Sequence, residues 1–134
     1  MTTTNESLPN QAASNRTAAH TRTLLPRTDV FAGDEGAVLV CELPGVAESD
    51  VDVQLDGDVL HVSARAGWAA PENLRLVHGE FEPVRYERRF RLGDHLDRES
   101  VRATLRDGLL RIDVAPRANP ARRIEVRSDK DASV

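Results

Sequence analysis

An all-β antiparallel sandwich is the fold this 134-residue sequence predicts, and three observations predict it. Apolar residues alternate with polar ones in short runs, the spacing of half-buried strands rather than helices. The runs are separated by Gly- and Asp-rich turns at regular intervals. Hydrophobic residues make up 40% of the chain but aromatics only 4%, so the core must be built from Val, Leu, Ile and Ala, which suits the thin interior between two sheets.

The strands are expected, in order, at 28–32, 37–43, 51–55, 59–64, 85–92, 101–105 and 109–114. Between them fall Asp34-Glu35-Gly36, Pro44-Gly45, Asp56-Gly57, Gly93-Asp94 and Asp107-Gly108. Two segments have the sharpest hairpin pattern, 53–62 and 103–112, each turning on Asp-Gly, where glycine takes a positive φ at no steric cost. Residues 1–27 are poor in apolar side chains and have no aromatic ring, so they cannot offset the entropy of ordering them and read as an arm. Residues 28–115 are the expected domain and 116–134 an extension. The connection 66–84 is too long for a structureless loop in a small domain, and 74–78 is its candidate strand.

Composition excludes several functions. Eighteen basic residues are spread among 22 acidic ones for a net charge of −4, which gives no general attraction to nucleic acid or anionic membrane. Cys41 is the only cysteine, so no intramolecular disulfide exists. The N-terminal residues lack the apolar run of a signal peptide, and the cytoplasm is the expected location. A transit peptide is a weaker alternative, since Arg16, Arg22 and Arg27 accompany a single acid, Glu6, in that stretch.

Chemistry-bearing side chains are similarly unpromising. His20, His61, His78 and His95 are scattered with no second ligand at metal-binding spacing, and no metal is expected. Neither a Gly-x-x-x-x-Gly-Lys nor a Gly-x-Gly-x-x-Gly segment is present, so no phosphate cradle and no nucleotide cofactor is expected. Cys41 alternates with Leu39 and Leu43 and reads as a small buried hydrophobe. Asp50 and Asp52 fall on the solvated face of a strand, while Asp56 and Asp58 serve a turn. The basic run Arg85, Arg88, Arg89 and Arg91 is interleaved with Glu87 and reads as a source of salt bridges between subunits rather than a phosphate site.

The segment Ile124-Glu125-Val126 stands apart. Two branched side chains share one face of an extended tripeptide, and Pro116, Asn119 and Pro120 interrupt its path from the last strand. Such a detached strand fits a groove on a partner.

Five motifs in sequence, ELPGV at 42–46, DVDVQLDGDVLHV at 50–62, RYERRFRL at 85–92, VRATLRDGLL at 101–110 and IEV at 124–126, closely resemble the small heat-shock protein family, whose core is the α-crystallin domain. The resemblance spans about residues 28–126. It implies an immunoglobulin-like antiparallel β-sandwich that dimerises, assembles into larger homo-oligomers and holds unfolding client proteins without ATP or enzymatic turnover. It further implies that Ile124 and Val126 anchor in a neighbour's groove lined by Val51, Val53, Leu55, Val101, Ala103 and Leu105. Arg88 matches an arginine that supports the dimer interface, and members from bacteria exchange a strand of the long loop, here 74–78 with Leu74 and Leu76. Apart from the resemblance, Trp68 and Phe81 of that loop read either as core residues that anchor it or as interface residues, and the loop's length favours the interface. Gly93 stands where the family usually has proline, the return at 80–84 departs from the family's usual run, and the arm lacks the aromatic rings that members often use on clients. The alternative reading is a monomeric, co-chaperone-like interaction module of the same sandwich type.

Overall fold

The computed structural model describes residues 21–118 and 122–129. Eight strands run in chain order as β1 (Arg22–Leu24), β2 (Thr28–Gly33), β3 (Gly36–Glu42), β4 (Val51–Asp56), β5 (Val59–Ala66), β6 (Val84–Arg91), β7 (Arg102–Arg106) and β8 (Leu109–Val114), with single 3₁₀ turns at Glu48–Asp50 and Arg98–Ser100. They form two four-stranded sheets, β1-β6-β5-β4 and β2-β3-β8-β7. Every pairing is antiparallel except that of β1 with β6.

Period-2 alternation explains how the sheets pack. Along β5, Leu60, Val62 and Ala64 are buried, and along β8, Leu110, Ile112 and Val114. These meet Leu39 and Cys41 of β3, with Leu43, Leu92 and Leu96 closing the ends, and no buried residue of this core is polar or charged. The interior is aliphatic, as the scarcity of aromatic residues requires.

Turn chemistry sets the registers. Asp107 and Gly108 both have positive φ, 51° and 75°, the primed turn whose twist matches the β7–β8 hairpin. Gly36 opens β3 at φ 117°, and a Cβ there would run into the carbonyl oxygen of Val114. That close approach sets β3 directly against β8, with Ala37 opposite Val114.

Three differences from the sequence-based expectations have physical causes. The strand Arg22–Leu24 lies within the stretch expected to be arm; its pairing with β6 is parallel and three residues long, too short to leave an alternation to read. The expected strand at 74–78 does not form: the segment is irregular, with only Leu74 N–H to Pro71 O at 3.3 Å holding its start, because a strand needs a neighbour to pair with. Finally, the chain stays attached past residue 115, through the Leu96–Pro116 bridge and Arg117 N–H donating to His95 O at 2.6 Å. Residues 1–20 of the expected arm, and 119–121 and 130–134 of the extension, lie outside the described residues.

Candidate functional site: the two open sides of the sandwich

One side of the sandwich is fixed by a cross-sheet contact. Arg88 is the register partner of Val62, whose side chain is fully buried, so in an antiparallel pair both point between the sheets. The guanidinium there donates from Nη1 to Pro26 O at 2.8 Å and lies 5.3 Å over the Phe90 ring. Pro26 is fully buried just before β2 begins. The Thr28 hydroxyl lies 3.1 Å from the same carbonyl oxygen and 3.4 Å from Cys41 Sγ, its one proton serving either acceptor. The β1–β6 edge of one sheet therefore faces the β2–β3 edge of the other, and β4 and β7 flank the opposite side.

On that opposite side lie the residues expected to line a groove. Val51, Val53 and Leu55 of β4 alternate with exposed Asp52, Gln54 and Asp56. They are half-buried and pack against the core, as do Val101 and Leu105, while Ala103 is exposed. Five of the six residues thus form an apolar margin at the edges of both sheets. Along the tail, Ile124 and Val126 are 74% and 90% exposed, with Glu125 between them held 3.8 Å from Arg127.

The residues expected at a dimer interface separate into two places. Trp68, Leu74, Leu76 and Phe81 are all exposed on the long loop. Trp68 and Phe81 line a cavity of about 480 Å³ together with Pro44, Gly45, Val84 and Tyr86. On β2, Val30 and Phe31 are also exposed, and no strand of the described chain pairs with that strand's outer edge. Arg88 is elsewhere, inside the sandwich margin, where it meets the Pro26 carbonyl and the Phe90 ring.

Charges on the outer face of β6 also pair within the chain. Glu87 receives His61 Nε2 at 3.0 Å, Arg89 at 3.7 Å and Arg85 at 4.0 Å, and Arg91 lies 3.5 Å from Asp58. The sequence pattern located this run but not its partners, because the strand opposite each arginine is known only from the register. Cys41 is fully buried as expected; burial pushes its thiol pKa up, against smaller opposing effects of the Thr28 hydroxyl and the Arg88 charge. Among the described residues no group of three or more potential ligands could hold a metal, and no helix is long and apolar enough to cross a membrane.

The fold is a two-layer β-sandwich with one closed side, one apolar open side and an exposed apolar tail. Residues 29–127 match the family model described as Hsp20/alpha crystallin family, and the chain belongs to that family. It is 33% identical over 108 residues to a probable 15 kDa heat shock protein of Leptospira interrogans, covering 81% of this chain and 82% of that one. Among solved structures it resembles a small heat-shock protein of Xylella fastidiosa with a TM-score of 0.63 and 29% identity, over 78% of this chain and 98% of that one. HspA of Xanthomonas axonopodis is similar at a TM-score of 0.57 and 29% identity, over 70% and 95%. Membership of this family supports a chaperone role.

Proposed function

We propose that the protein is an ATP-independent holdase that acts in the cytoplasm without enzymatic turnover, built from dimers that assemble into larger homo-oligomers. The observation that carries this reading is the match between two uncovered surfaces of one chain. Val51, Val53, Leu55, Val101 and Leu105 are half-buried at the edges of β4 and β7, and Ile124 and Val126 stand in solvent on a separate tail. Docking the tail of one copy on that margin of another buries two branched side chains, worth roughly 3–6 kcal/mol before ordering costs. A single contact is then weak, with Kd of about tens of micromolar to millimolar, and repeated contacts add through effective concentration. Within the dimer, segment 74–78 of one copy gains its missing strand partner at the exposed outer edge of the other's β2, beside Val30 and Phe31.

Heating dissociates the weak tail contacts first, and the bared margin captures similar apolar surface on an unfolding client. The test is light scattering of a model client under heat or reduction. Protection at near-stoichiometric ratio, unchanged by ATP, is expected. No protection at severalfold excess, or protection only with ATP, overturns the reading in favour of a monomeric interaction module.

A further inference from the structure

The edge of β6 that faces away from β5 is only partly covered. β1 runs beside Val84, Arg85 and Tyr86, three register positions of an eight-residue strand, and among the described residues no strand lies beside the rest of that edge, from Glu87 to Arg91. Parallel pairing over three residues is weak by itself. What holds the segment is Pro26, two residues after it: the buried ring, and its carbonyl taking the Arg88 guanidinium at 2.8 Å. Leu25 between them is 75% exposed, and Thr23, Leu24 and Leu25 line a cavity of about 380 Å³ with Glu87, Arg88 and Arg89. The cover is thus short, loosely seated and pinned at one point.

We propose that residues 22–26 are a releasable strap, and that the β6 edge beneath it is a docking site for the same segment of a second copy of this chain. The resident segment displays what the edge accepts: an extended strand with an apolar residue opposite Tyr86 and, two residues on, a proline whose carbonyl meets Arg88. The strap joins the sandwich through Arg27 alone before β2 begins, so one copy's strap can replace another's with no other strand changing partner. Release also removes Pro26 from the side of the core where Cys41 lies, so the only thiol reports the opening.

The experiment uses the full chain. Leu24→Pro should speed hydrogen exchange of the segment containing Val84–Arg91, and thiol labelling of Cys41, by about tenfold or more, while β8 amides keep their protection. Arg88→Lys, which keeps the charge but not the guanidinium geometry, should give a smaller change of the same kind and serves if Leu24→Pro fails to fold. A peptide of residues 21–28 added in excess to the released variant should restore protection, and a scrambled peptide should not. Thr23→Cys with Arg85→Cys, register partners on the outer face, in a Cys41→Ser background, should give disulfide-linked dimers on oxidation. Unchanged β6 exchange in both released variants overturns the strap, failure of the peptide at millimolar concentration overturns the docking site, and disulfides formed only within single chains overturn the second copy as occupant. None of these readouts involves a client.

Discussion

Arg88 and Pro26, 62 residues apart in sequence, close one side of the sandwich: the guanidinium of a strand in one sheet donates at 2.8 Å to the carbonyl of the residue that leads into the other. The acceptor belongs to a fully buried proline, so removing the donor leaves a carbonyl with only the shared Thr28 hydroxyl to satisfy it.

Arg88→Gly is therefore expected to lower stability by about 1–3 kcal/mol, since an unpaired buried acceptor carries its full desolvation cost. Thermal unfolding followed by circular dichroism checks it, with native mass measurement alongside. A wild-type melting temperature would make Arg88 an ordinary surface charge. A changed assembly mass would add a role across subunits to the one within the chain.

Gly36→Ala should be among the most damaging single substitutions in the chain. The added Cβ meets the Val114 carbonyl, which is backbone and cannot swing aside, and φ at 117° strains any L side chain. A loss of about 3 kcal/mol or more is expected by chemical denaturation. Gly57→Ala meets no atom within 4 Å at its new Cβ and should cost less, leaving only its φ of 59° to strain.

Replacing both tail residues, Ile124→Gly with Val126→Gly, should shift the assembly to smaller species while the far-ultraviolet spectrum stays that of the wild type. Both side chains are exposed and make no part of the core, so the fold has no stake in them. Light scattering after size-exclusion chromatography decides the matter. An unchanged mass would leave the tail without an anchoring role.

Cys41 gives a pH dependence with a definite sign. Its thiol pKa is raised in the folded state above the ordinary value of 9.0, chiefly by burial, so the folded chain holds this proton more tightly than the unfolded one. The contribution is complete below pH 9 and is lost as pH rises through the raised value. Stability should fall on the alkaline side in the wild type and fall less in Cys41→Val, which keeps the apolar volume without an ionisable group. Parallel slopes for the two proteins in urea titrations above pH 9 would contradict it.

Local sequence determined the seven strands from β2 to β8, because alternation and turn chemistry act between residues a few positions apart. Asp107-Gly108 and the 51–55 alternation are each legible to within a residue of where the strands form. The order of motifs determined the family as well. The tertiary structure alone decided what happens at the edges. Alternation assigns Tyr86, Arg88 and Phe90 to one face of β6 but does not say which face is inward; the pairing of Arg88 with buried Val62 says so, and it gives a residue that reads as a source of salt bridges between subunits a clasp on Pro26 of its own chain. β1 was invisible for the same reason, since three residues in parallel pairing carry no period of their own and owe their conformation to a strand some 60 residues away. Segment 74–78 makes the converse case: its composition is that of a strand, and within a single chain it remains irregular because backbone hydrogen bonding takes two edges and the second is not there.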